Sequence, residues 1–132
     1  MQVRHKAFFH ALKQNGLKSD PTCAGSSYYI TQCMEKHLPR LLDMGITGII
    51  CSYDLIANAA MIQCQQLGYK VPDEISIIGF DDLPICAYTS PPLTTIRQER
   101  IQLGKSAYYA LDSLMNQVSI GTLLLHAKLI ER

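Results

Sequence analysis

The sequence predicts an α/β fold on a parallel sheet, and three observations carry that reading. Stretches with apolar residues at helical spacing alternate with short apolar runs rich in isoleucine. Each run ends in a cluster of polar residues, and the segments between elements are short. Helix and strand taken in turn, with short links, is the order that lays helices over parallel strands. The 132 residues amount to one domain at most, long enough to bury roughly two-thirds of the unfolded surface.

Val3, Ala7, Phe8, Ala11 and Leu12 fall at helical spacing and Gly16 follows, so a first helix is expected over about residues 3–15. Lys18 to Ser27, with Pro21 and Gly25, reads as a loop holding at most a short strand. Ile30, Cys33, Met34, His37, Leu38, Leu41 and Leu42 make a second helical stripe. Pro39 lies inside it and lacks an amide donor, so a kink is expected there, or a break with Pro39 opening a last turn. Gly48-Ile49-Ile50-Cys51 suits a buried strand. Asp54 is placed to cap the helix that follows, in which Ile56, Ala57, Ala60, Met61, Cys64 and Leu67 precede Gly68. Ile75 to Gly79 is a second strand, and Phe80-Asp81-Asp82 forms the loop at its carboxyl end. Beyond Pro91-Pro92, residues Leu93 to Arg97 are extended, a long helix covers about 99–117, and Leu123 to Ile130 has strand character.

Composition excludes several classes of function. Apolar residues at 48%, charged residues at 17% and a mean hydropathy of +0.06 rule out intrinsic disorder. A formal charge of +1 provides no basic field for nucleic acid or acidic lipid, so no DNA-binding head is expected within the chain. No window reaches the roughly 18 apolar residues of a membrane span. Arg4, His5, Lys6, Lys13 and Lys18 leave no apolar leader segment between them, so no signal peptide is expected. Cys23, Cys33, Cys51, Cys64 and Cys86 form no C-x-x-C pair, which fits reduced packing residues in the cytoplasm.

Enzyme and cofactor motifs fail one by one. Gly104-Lys105-Ser106 has the end of a phosphate loop, but Glu99 stands where the earlier glycine belongs. No G-x-S-x-G and no G-x-G-x-x-G occurs. His5 and His10 miss the i, i+4 spacing of a zinc pair, and His37 and His126 lack ligand-type neighbours, so neither metal nor cofactor is expected. What remains suits binding. In parallel sheets ligands settle beyond the carboxyl ends of strands, and those ends are Cys51-Ser52-Tyr53-Asp54 and Gly79-Phe80-Asp81-Asp82. Adjacent carboxylates accept several hydroxyl hydrogen bonds, and Tyr28, Tyr29 and Tyr53 offer rings to a sugar's apolar face. The other reading of these residues is a loop whose Asp82 caps a short helix at Pro84 and whose tyrosines belong to the core.

Sequence motifs add a resemblance. "VPDEISIIGFDD" (Val71–Asp82) and "PPLTTIRQ" (Pro91–Gln98), followed by Leu103-Gly104, resemble the C-terminal subdomain of LacI/GalR-type transcription repressors. "GIICSYDLIANAAM" and "LGYKVP" are similar to that family's preceding strand and helix, and "RHKAFFHALKQNGL" to the helix after its "R-x-x-G-F" signature. The closing "LIER" resembles its last strand, so the likeness runs from Arg4 to Arg132 without a gap between Cys51 and Gly104.

The resemblance implies a periplasmic-binding-protein-like effector domain of type I, a parallel-sheet three-layer sandwich whose two lobes close on a sugar or related metabolite. Residues 1–132 would be the C-terminal, incomplete part, with the DNA-binding head and N-terminal lobe outside it. By that likeness Arg4 matches an arginine that reaches the ligand and Asp81 an aspartate that accepts hydrogen bonds from it. Tyr53 stands where many members have a ligand-binding asparagine, a departure that implies a different sugar, a stacking contact or a lost site. Asp54 matches the following aspartate, Tyr28 lies near the family's stacking aromatic, and Asp82 adjoins Asp81. The implied partners are a small-molecule effector, a second copy joined through the helix around Ala57–Gln66 and the loop Leu83–Thr89, and operator DNA through the missing head. The alternatives are a sugar-binding transport-type protein and a small α/β enzyme using Asp81 or Asp82 as base or nucleophile.

Overall fold

A computed structural model of the chain describes residues 2–18, 24 and 29–132. The elements are α1 (Gln2–Gln14), α2 (Ile30–Asp43), β1 (Gly48–Ile50), α3 (Asp54–Gln66), β2 (Ser76–Phe80), a 3-10 turn (Pro84–Ala87), β3 (Thr94–Gln98), α4 (Arg100–Met115) and β4 (Ala127–Ile130). The loop expected over 18–27 falls outside the described residues, apart from residues 18 and 24. Gly16 and Gly68 close their helices with φ of 66° and 91°, conformations that cost other residues more.

The strands form one sheet in the order β1-β2-β3-β4. β1 and β2 are parallel, as are β2 and β3, but β4 runs antiparallel to β3, so the sheet is mixed rather than parallel throughout. The cause is the path of α4. It leaves the carboxyl end of β3, and the chain returns at that same end, where Ala127 faces Gln98. No crossover carries it to the far end of the sheet. β4 is also shorter than expected, because residues 123–126 are irregular.

One side of the sheet holds the core. Ile75, Ile77 and Gly79 alternate along and beside β2 toward α3, whose Ala57, Ala60, Met61 and Cys64 are buried against them. Two alanines let the helix approach closely, and burying a side chain of Met61's size contributes roughly 1.5–3 kcal/mol. Leu38 and Leu42 of α2 complete this layer. α2 passes through Pro39 without a break, because Glu35 and Pro39 stand on the exposed face, where the carbonyl left without its amide meets water. Cys51, Cys64 and Cys86 are buried thiols.

The other side is thinly covered. Gly48, Ile50, Ser76 and Ile78 face Phe8 and Leu12 of α1 across a groove of about 290 Å³. β1 is therefore not the buried strand expected from its apolar run: it forms the sheet edge, and Ile50 is 59% exposed. Among the described residues no helix is long and apolar enough to cross a membrane.

Candidate functional site

The carboxyl ends of β1 and β2 converge, and the chain between β2 and the 3-10 turn takes an unusual path. Asp81 and Asp82 are both left-handed, with φ of 105° and 50°. Such conformations cost non-glycine residues on the order of 1–3 kcal/mol each and persist where neighbours over-determine them. Here the Asp81 amide donates to the Ile96 carbonyl at 2.9 Å. The Asp82 amide donates to Thr95 Oγ1 at 3.4 Å, and the Leu83 amide to Asp54 Oδ2 at 2.7 Å.

Asp54 is the hidden bracket of this region. It is fully buried, and its other oxygen accepts the Thr95 hydroxyl at 2.5 Å. The Cys86 thiol bonds to it as well, and burial, followed by that bond and the Asp54 charge, pushes the thiol up to about 12. A Cβ on Gly79 would run into the same carboxylate, which explains the glycine there. Asp54 does not cap α3 as expected. Tyr53 holds the cap position, and no side-chain bond caps the helix. Three donors from other elements take the carboxylate instead.

Asp82 is also engaged inside the molecule. Arg97 Nε donates to its Oδ2 at 2.6 Å and Arg132 Nη2 to its Oδ1 at 2.7 Å, while Arg100 Nη2 reaches its backbone carbonyl at 3.1 Å. Burial alone would raise this carboxyl, but the bonds from Arg132 and Arg97, with their charges, outweigh it and hold the group below the usual carboxylate range. The reading of Asp82 as a helix cap is thus corrected. The 3-10 turn starts after Leu83 with no side-chain cap.

Asp81 sits half-buried beside it and faces a different set of groups. Gln98 Nε2 donates to its Oδ1 at 2.7 Å. Phe80, the residue before, lies 3.8 Å under the Arg4 guanidinium, an arrangement worth roughly 0.5–1 kcal/mol at an exposed site. Arg4 Nη1 also donates to the Ser52 carbonyl at 3.0 Å, next to the half-buried Tyr53. A cation, a carboxylate and an amide from three segments thereby line one edge of the sheet. Tyr28 lies outside the described residues. Tyr29 is exposed at the start of α2 rather than in the core. Gln98, Arg97 and Arg132 went unrecognised as site residues. Gln98 and Arg97 stood inside a quoted motif, but no residue-type signal tells a strand's ligand face from its salt-bridge face.

This chemistry suits binding. The site offers paired donors and acceptors to hydroxyl or amino groups, and among the described residues no three His, Cys, Asp or Glu side chains gather to hold a metal. Sheet and strand-end loops together define a layered α/β domain, and the family profile for the periplasmic binding protein-like domain matches residues 1–132. The transcriptional repressor CytR of Escherichia coli K12 is 34% identical over 133 residues, covering 98% of this chain and 39% of that protein. The solved transcription regulator CcpA of Lactococcus lactis superposes with a TM-score of 0.82 at 28% identity, covering 95% of this chain and 47% of that one. The Lac repressor bound to ONPG in its repressed state gives 0.79 at 26% identity, covering 99% and 40%. The chain belongs to the periplasmic-binding-protein-like domain family, and the relative and solved structures named here are transcription regulators. It spans 39% to 47% of the length of the relatives named here.

Proposed function

We propose that residues 1–132 are the C-terminal part of the effector domain of a cytoplasmic transcription regulator, and that the part receives a sugar or related small metabolite. The observation that supports this is the linked row at the carboxyl edge of the sheet, in which Arg4 holds the Ser52 carbonyl and the Phe80 ring while Gln98 holds the adjoining Asp81. Arg4 and Asp81 supply donors and acceptors to the ligand, Tyr53 a stacking face, and Tyr28 a further ring. Asp82 supports Asp81 from behind. No catalytic step is involved. A second copy joins through α3 and the loop 83–89, where Leu55, Ile62, Ile85 and Tyr88 are exposed, and a C2 pairing of that patch is self-complementary. In the whole regulator a second lobe closes the site and a separate head contacts operator DNA. Ligand binding then shifts the population between states of different DNA affinity.

The test is thermal shift of the full-length gene product against pentoses, hexoses and ONPG. One of them is expected to raise Tm at micromolar concentration without turnover, as binding to the folded state requires, and Asp81→Asn should abolish the shift. Absence of any shift, or a turnover that Asp81→Asn removes, defeats the reading. Residues 1–132 alone are expected to bind weakly, and a sub-micromolar dissociation constant for them would contradict the two-lobed site.

A further inference from the structure

The turn that presents Asp81 is held from far along the chain. Its two left-handed residues are consecutive, neither is glycine, and the second is gripped on both carboxylate oxygens by different arginines. The two arginines are unequal. Arg97 is 43% exposed, whereas Arg132 is 20% exposed and anchored at several atoms. Its amide donates to Thr94 Oγ1 at 3.0 Å, its carbonyl accepts from that hydroxyl at 3.3 Å, and its Nη1 donates to the Leu93 carbonyl at 3.0 Å. Arg132 is therefore a fixed post between the start of β3 and the turn. Asp82, 8% exposed, has both carboxylate oxygens taken up by arginines within the chain.

We propose that Arg132 is a positioning residue for Asp81: by clamping Asp82 together with Arg97, it keeps the turn left-handed and so aims the Asp81 carboxylate. The proposal rests on the reading of Asp81 as the ligand's acceptor and adds a residue that never touches the ligand. The groups facing the Asp82 carboxylate are Arg97 of β3 and Arg132 beyond β4. Arg100 of α4 lies on its carbonyl, Asp81 is adjacent, and Asp54 with Cys86 lies behind. Protonating Asp82 weakens the clamp, and a guanidinium grips a carboxylate in a plane that an ammonium cannot reproduce.

The experiment measures scalar couplings that report φ at Asp81 and Asp82 in the isotope-labelled chain, with Gln117, whose φ is 55° far from the turn, as internal reference. Positive-φ couplings are expected at all three. In Arg132→Gln they are lost at Asp81 and Asp82 and kept at Gln117, and Arg132→Lys falls between. The unaltered chain shows the same loss as pH falls through the Asp82 titration, a profile that simple packing by Arg132 would not produce. Should Arg132→Gln fail to fold, Asp82→Asn releases the same clamp with Arg132 in place and is expected to lose the couplings too. Unchanged couplings at Asp81 in a folded Arg132→Gln or Asp82→Asn chain overturn the proposal. None of these measurements uses a sugar, so they decide the clamp independently of the sensor reading.

Discussion

α3 and α4 carry comparable apolar content and have opposite fates. α3 buries Ala57, Ala60, Met61 and Cys64 against β2, whereas α4 has no buried residue, and Ile101, Tyr108, Leu114 and Met115 are all exposed. The difference teaches that a helix is specified by its own residues but its burial by a partner surface. The partner of α3 lies within these residues, while α4 finds no counterpart among the described ones. An apolar patch of that extent on a monomer is an interaction surface or an association hazard.

The large expected effects lie at the buried end of the comparison. Asp54→Ala leaves the Leu83 amide, the Thr95 hydroxyl and the Cys86 thiol without their acceptor, at a cost on the order of 3 kcal/mol in urea unfolding. A change under about 1 kcal/mol would mean that water replaces the carboxylate. Next, Met61→Ala in α3 should cost about 2–5 kcal/mol, against under about 0.5 kcal/mol for Leu114→Ala in α4. Equal costs for the two would show that α4 is covered in solution and would break the contrast.

Titration sharpens the comparison further. The Asp82 carboxyl is held low in the folded chain, so the unfolded chain binds more protons in acid. Its contribution to stability is complete above the ordinary value of 3.8 and is lost as pH falls below that through the lowered one. Arg132→Gln should flatten that acid limb. Cys86 works in the opposite direction. Its thiol is raised from 9.0 to about 12, so stability is intact below pH 9 and declines as pH rises toward 12. Denaturant midpoints across both ranges check the two signs, and the smallest effect, that of Leu114→Ala, should be the same at every pH.

Much of the frame was legible in the residues because it is local. Helical spacing marked α1, α2 and α3, glycines marked the ends of α1 and α3, and the run at Ile75–Gly79 marked β2 nearly to the residue. The direction of β4 was not legible, since an antiparallel return and a parallel crossover leave the same apolar trace in a short strand. Asp54 was misjudged for a similar reason. An aspartate ahead of a helix satisfies the rule for a cap, and only the fold brings Leu83, Thr95 and Cys86 to it. Within the site, Asp81 and Arg4 came from motif likeness, whereas Arg132 is separated from Asp82 by fifty positions and is brought there only by β4.

The register of β4 has a consequence for how the chain tolerates change. Because Ala127 faces Gln98, β3 and β4 amount to a hairpin whose connection has been enlarged to hold a whole helix. Closing a loop costs only about 0.6 kcal/mol more for each doubling of its length. The sheet is therefore nearly indifferent to the size of that connection, and α4 can lengthen, shorten or change its surface while Arg132 still arrives at Asp82.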